Sequence, residues 1–334
     1  MSFSRLGRPA ALIALATLLA AAPASAATLK IATLAPEGSS WMILFHKWAR
    51  AVESRTDGRV KVKFYAGGIE GDEADVLRKI RLGQISGAAL TGIGLSSICP
   101  EVRAFDIARS YEELDALRAA IGDEIKQKFL AKGFLVAAWG EVGPIHLFSS
   151  KPVKSMADLR GLRLWLWTED PVSKALFATL GLHGVPMGVP DVLPGLSTGQ
   201  IDSFFGSPLS TLALQWSSHV KYMTELVVGE ATGATVLSKR VWDAIAPADQ
   251  QVMKEEGDKM QKVVLAQVRS DNAKALEAMK SRGLTVVSTP PELGRELDRR
   301  GEAVARAAGS QLDKNFQAKV QKVVEDLRAK HAAK

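Results

Sequence analysis

Between Leu159 and Ser210 short apolar runs alternate with capped helical segments, and that alternation leaves few folds open to the chain. Leu164, Trp165, Leu166 and Trp167 form a brief apolar run, the pattern of a buried strand. Glu169, Asp170 and Pro171 then open a helix. Asp170 is placed to cap it, and Pro171 falls on the first helical position, where a missing N–H removes no bond. A short strand, a second helix, a third strand and a helix start at Ser207-Pro208 follow. Such a βαβαβ unit belongs to a layered α/β sheet, in which small ligands sit beyond the carboxyl ends of the strands. Trp165 and Trp167 share one strand face by the two-residue period and stand at that mouth. Trp167 reads equally well as core.

The N-terminus is set apart first. Arg5 and Arg8 precede an apolar run from Ala10 to Ala22 that ends in Ala24-Ser25-Ala26, the build of a secretory signal peptide cleaved after Ala26. No later stretch offers about 18 consecutive apolar residues, so the expectation is an exported, soluble chain. Removing residues 1–26 takes two arginines and no acids, which leaves 41 basic against 36 acidic residues from the original 43 and 36. This mild excess is spread over helices without aromatic company, which excludes a nucleic-acid binder. The single Cys99 forbids an internal disulfide and, beside Ile98 and Pro100, reads as a small buried hydrophobe.

A strand over Thr28 to Ala35 leads to a helix from Trp41 to about Thr56, capped by Ser39 or Ser40, with Trp41, Leu44, Phe45, Trp48 and Val52 at helical spacing. Trp41 is in the first turn, next to the strand end where a ligand would lie. Val60 to Tyr65 alternates as a second strand. Glu70, Asp72, Glu73 and Asp75 complement the N-terminus of the following helix rather than hold a metal, since no His or Asn partners them at ligand spacing. Ile85 to Thr91 ends in Gly92-Ile93-Gly94, which permits close backbone approach but lacks the rest of a dinucleotide fingerprint. Phe134 to Trp139 is another buried strand, broken by Gly140-Glu141-Val142-Gly143-Pro144 before Ile145 to Ser149 begins a crossover. From Pro247 to Arg282 a helical run interrupted only by Gly257 either braces the molecule or packs on a second chain.

Gly195-Leu196-Ser197-Thr198-Gly199 matches the nucleophile elbow, but Ser197 ends a helical segment and precedes a strand, the reverse of what an elbow needs. His46, His146, His183, His219 and His331 have no zinc spacing, and of these only His146 falls near the crossover. No cofactor and no metal site is expected, and no enzyme chemistry can be assembled.

Several stretches in register then resemble one family, the periplasmic solute-binding proteins of TRAP transporters, the DctP-like family. They are LKIATLAPEGSSW, GRVKVKFYAGGIEGDEADVLRKIRLG, the run from PVKSMADLRGLRLWLW to ALFATLGLHGVPM, DVLPGLSTGQID with PLS, and VLSKRVWDAIAPADQQ. The resemblance covers nearly the whole mature chain. It implies a two-lobed periplasmic binding protein fold, each lobe a mixed sheet flanked by helices, with a long helix spanning both lobes. In these terms residues 27–148 and about 232–278 make lobe 1, and 149–231 and about 279–334 make lobe 2. It further implies hinge closure on a small organic solute, commonly a carboxylate, and delivery to an integral membrane permease, with a homodimer through the long helix in some members. A periplasmic receptor for a signalling partner uses the same fold, and a hydrolase using Ser197 is the enzyme alternative.

Laid on the family's pattern, Trp165 occupies the place of an arginine whose guanidinium forks onto the solute carboxylate. A second family arginine is absent near Gly143 to His146, and the family's E-N-P gives way to Phe205-Gly206-Ser207-Pro208. An aromatic wall suits a ring, apolar contact or a cation over an indole face. Either the solute is not a simple carboxylate, or its charge is met by Arg103, Arg109, His146 or helix N-termini. An organic acid with a sizeable apolar or aromatic part is the favoured solute. The expected ligand-binding set is Ser40, Trp41, Gly92, Glu141, His146, Trp165, Trp167, Phe205 and Ser207.

Overall fold

Strand and helix patterns follow one another along almost the whole chain in a computed structural model, which describes residues 27–168, 170–309 and 312–332. The expected signal peptide and Glu169 lie outside the described residues. The first half of the chain runs β1 (Ala27–Thr33), α1 (Ser40–Arg55), β2 (Val60–Tyr65), α2 (Glu73–Arg81), β3 (Gly87–Thr91), α3 (Gly92–Ser96), a 3-10 segment Pro100–Ile107, α4 (Tyr111–Ala131) and β4 (Phe134–Ser149). There follow α5 (Met156–Arg160), β5 (Leu164–Trp167), α6 (Pro171–Leu180), β6 (Gly184–Met187), α7 (Val189–Ser197), β7 (Ser203–Gly206), α8 (Pro208–Ala213), a 3-10 turn Trp216–His219 and β8 (Tyr222–Thr224). The chain ends with β9 (Gly229–Ser238), α9 (Lys239–Asp243), α10 (Pro247–Ser281), β10 (Thr285–Val287), α11 (Pro291–Gly309) and α12 (Lys314–Ala332).

The local chemistry of these elements is that of the sequence. β1 buries Leu29 and Ile31 between exposed Thr28 and Lys30, the alternation of a strand. Ser39 caps α1 by accepting from the Met42 N–H, so Ser40 is its first helical residue. Asp170 caps α6 by accepting from Val172, with Pro171 on the first turn as expected. Cys99 is fully buried in the core, and burial pushes its thiol up to about 12.

One lobe is the sheet β2-β1-β3-β9-β4, in which β1 runs parallel to β2 and β3 while β9 is antiparallel to both neighbours. The other is β4-β7-β5-β6, with β8 and β10 on the opposite side of β4. Both lobes therefore share β4, and helices cover the sheets over separate apolar cores.

Two expectations differ. Gly140 to Pro144 does not break the strand: β4 runs on through both lobes, and the irregularity is absorbed as a register shift between Glu141 and Gly143 in its pairing with β9. Gly143 takes φ +113, and a Cβ there would stand 2.3 Å from Asn272 Nδ2, so conformation and space both require glycine. The expected boundary gave all of 279–334 to the second lobe. α11 does pack there, through Leu293, but α12 returns to the first lobe, where Phe316, Val320 and Val324 cover Ile125 and Phe129 of α4.

α10 has 35 residues, about 52 Å at 1.5 Å per residue. It packs on α1 and β4 and reaches α8, a helix of the second lobe. The brace is thus intramolecular. Gly257 is the point of closest approach, since a Cβ there would lie 2.7 Å from the Ala137 carbonyl of β4. About four turns farther along, Asn272 ties three elements: its Nδ2 donates to Val142 O at 3.1 Å, and its Oδ1 accepts from Leu209 N of α8 at 3.0 Å.

Candidate ligand-binding cleft

β5 sets the site. It lies between β7 and β6, and its register places Trp165 beside Val185 and Trp167 beside Met187. Trp165 is 8% exposed, and its Nε1 donates to Met187 O at 3.0 Å. Its ring meets Trp167 at 5.6 Å and the edge of Trp216 at 5.4 Å. Trp167 turns outward to the other lobe: its Nε1 donates to Asp72 Oδ2 at 2.8 Å, and the same oxygen accepts from Val189 N at 3.2 Å. Asp72 is the N-cap of α2. One carboxylate of the first lobe thus holds a strand and a helix of the second, and the lobes are closed on each other.

Between them lies a cavity of about 350 Å³. The end of β1, the first turn of α1, the end of β3 and the middle of β4 form one wall. β5, α6, the end of β7 and Trp216 form the other, and the start of β9 passes between them. Of the expected ligand-binding set, Trp41, Gly92, Glu141, Trp165, Trp167 and Phe205 line this cavity. Ser40, His146 and Ser207 do not. Ser40 hydrogen-bonds Asp271 of α10. His146 is buried in the sheet with Nδ1 3.0 Å from Thr224 O, and burial lowers its pKa, which keeps it neutral near pH 7. The Ser207 hydroxyl is spent on a capping box with Ser210, and the serines on the wall are Ser173 and Ser210.

Sequence reading missed Trp139, Phe177 and Trp216 on the wall, and four acids matter there where one was expected. Trp139 had a signal, as the last residue of an apolar run at a strand end. Glu230 had none, because its place depends on where β9 crosses between the lobes.

The charges are arranged against expectation. Glu141 is fully buried, but its carboxylate is held by Arg118 Nη1 at 3.0 Å and by Arg269 Nε at 2.9 Å. Its backbone carbonyl accepts from Trp41 Nε1 at 3.1 Å. Glu73 accepts from Thr91 N and Gly94 N, both at 2.7 Å, while burial pushes its pKa up to about 8. Asp106 is raised to about 6 by burial against the pull of Arg103, whose Nε stands 2.5 Å from it. Glu230 is raised to about 8, by burial first and then by Glu141, with Arg269 opposing. No lysine, arginine or histidine is among the described residues that line the cavity. Arg103 is shared between Asp106 and Asp170, the cap of α6, and Arg109 pairs with Asp298 at 3.3 Å.

Such a site can enclose and orient a solute. Ser197 Oγ bonds Leu193 O at the exposed end of α7, and no group of three or more metal-ligating side chains occurs among the described residues.

Residues 31–309 match the family model described as bacterial extracellular solute-binding protein, family 7, DctP. A solute-binding protein of Verminephrobacter eiseniae is 28% identical over 273 residues, covering 80% of this chain and 81% of its own. The 2,3-diketo-L-gulonate-binding periplasmic protein YiaO of Escherichia coli is 26% identical over 286 residues, with 81% of each chain covered. In fold, the chain resembles the crystal structure of a Bordetella pertussis extracytoplasmic solute receptor binding pyroglutamic acid. The TM-score is 0.83 at 19% identity, over 89% of this chain and 99% of that one.

Proposed function

From the premise that this chain belongs to the DctP family of TRAP solute-binding proteins, we propose that it captures a small organic acid with an apolar or aromatic part and delivers it to a TRAP membrane permease. Like its family, it is a receptor and not an enzyme. The observation that carries the proposal is the closed cavity of about 350 Å³ with walls from both lobes. A solute there touches both walls only when the lobes are shut, so its binding energy shifts the hinge toward the closed state. The relatives point the same way, one binding 2,3-diketo-L-gulonate and another pyroglutamic acid.

Purified protein is expected to bind one solute per chain, to quench its tryptophan fluorescence on doing so, and to release the compound unchanged. Turnover of the bound compound would sink the receptor reading.

The site of action we infer is the periplasm, reached through the signal peptide over residues 1–26. The exported protein should then have the mass of a chain beginning at Ala27; retention of the leader would count against export by this route.

A further inference from the structure

Four carboxyl groups line the cavity, Glu73, Asp106, Glu141 and Glu230, and no basic side chain joins them among the described residues. Three have donors or a counter-charge from the protein: Glu73 from the Thr91 and Gly94 amides, Asp106 from Arg103, and Glu141 from Arg118 and Arg269. Glu230 differs. It is 3% exposed, it lines the cavity, and its Oε2 has no hydrogen-bond partner among the described residues. Folded proteins seldom leave such an atom unpaired. Of the groups that face it, Arg269 of α10 is held by Asp115 and Glu141, while the Tyr111 ring of α4 lies 4.6 Å under the Arg269 guanidinium and its hydroxyl, like Glu230 Oε2, has no partner among the described residues.

Among the aliphatic and hydroxyl side chains of the remaining wall stand six rings, Trp41, Trp139, Trp165, Trp167, Phe205 and Trp216. Ring faces carry the negative end of a quadrupole, which draws cations and offers an anion nothing. Resting on the receptor reading above, we propose that the solute carries a cationic nitrogen, an ammonium or similar group, which Glu230 receives inside the aromatic wall. An organic acid entering this cavity is then a zwitterion whose carboxylate is met by backbone N–H groups, since no guanidinium lines the wall. A simple anion would face the uncompensated Glu230 with no basic side chain among the described residues that line the cavity.

A rival use of the same residue has Glu230 protonated and donating to a solute carboxylate. Burial and Glu141 raise its pKa to about 8, so the two uses respond oppositely to pH. A cation needs Glu230 ionised, and its binding tightens as pH rises toward 8. A carboxylate needs it protonated, and its binding tightens as pH falls. Glu73 and Asp106 share the wall and add to the preference for a cation once ionised.

The test uses three probes of one shape, phenethylammonium, L-phenylalanine and 3-phenylpropionate, titrated into solute-free protein at pH 5.5, 7 and 8.5 and followed by tryptophan fluorescence and calorimetry. Phenethylammonium or L-phenylalanine is expected to bind at least tenfold more tightly than 3-phenylpropionate at pH 8.5 and to tighten with rising pH. Glu230→Gln should weaken amine binding at pH 8.5 by at least fivefold and reduce the pH slope to what Glu73 and Asp106 contribute. Equal or tighter binding of 3-phenylpropionate, an amine affinity unchanged in Glu230→Gln, or saturation by none of the three overturns the proposal. Should the variant fail to fold, the wild-type preference and the sign of its pH slope decide alone. Closure of the wild type on 3-phenylpropionate at one per chain would leave the receptor reading standing, whereas consumption of a probe would end it.

Discussion

At the scale of single residues, Trp165 and Glu230 carry different loads. Trp165 is buried against Trp167 and Trp216, so Trp165→Ala removes packing worth roughly 3–5 kcal/mol as well as a piece of the wall. Trp165→Phe separates these effects by keeping a ring while losing the Nε1 bond to Met187. It should fold and weaken solute binding by about tenfold, or ~1.4 kcal/mol, read as a Kd by fluorescence; unchanged affinity in a folded variant would remove Trp165 from the site. Glu230 speaks through pH. Its folded pKa of about 8 lies above the ordinary value of 4.5, so between these values the folded state holds a proton that the unfolded state has lost. Stability therefore falls as pH rises from 4.5 to 8. Glu73, raised to about 8, and Asp106, raised to about 6, act in the same direction. His146, lowered by burial, acts oppositely below 6.5. Urea midpoints of the solute-free protein at pH 5.5 and 8 should show the wild type losing more stability over this interval than Glu230→Gln, because His146 is common to both.

At the scale of elements, two polar side chains join pieces that are far apart in sequence. Asp72 caps α2 and also accepts from Trp167 and Val189 across the cleft. In Asp72→Ser the cap is kept, but the side chain is too short to reach β5 and α7. Thermal stability is expected to hold within about 0.5 kcal/mol, while solute affinity drops and small-angle scattering gives a larger radius of gyration. A scattering curve and Kd unchanged from wild type would show that Asp72 does not hold the lobes together. Asn272 is the corresponding joint on the hinge side, where α10 meets the bulge of β4 and the first turn of α8. Asn272→Leu leaves the Leu209 N–H and the Val142 carbonyl unpaired in a buried place and should destabilise the fold by roughly 1–3 kcal/mol, measured by urea unfolding. Asn272→Asp restores only the acceptor to Leu209 and should recover part of that loss.

At the scale of the whole molecule, α10 ties the two lobes together, since one rod of 35 residues touches α1, β4 and α8. Its inner stripe, Met253, Met260, Val264, Val268 and Ala275, is used up within the chain. Among the described residues Val263, 51% exposed, is the one large exposed apolar side chain of α10. A second copy pairing along this helix would find little to bury, so sedimentation at micromolar concentration should give a monomer; a stable dimer would show that another face mediates pairing. The sequence by itself determined what depends on neighbours within a few residues: the alternation of β1, the Asp170 cap, the length of α10, the helix-ending Ser197, and the motifs that mark the family. These are set by periods of 2 and 3.6 and by caps that bond to the next turn. Only the tertiary structure decided which side chains meet in the cleft. Trp41 bonds the carbonyl of Glu141, Trp167 bonds Asp72, and β9 brings Glu230 beside Glu141. Those partners are separated by about ninety to a hundred positions, and no local period relates them. For the same reason three expected residues, Ser40, His146 and Ser207, turned to partners of their own, and the charge of the cavity could not be read before its walls were brought together.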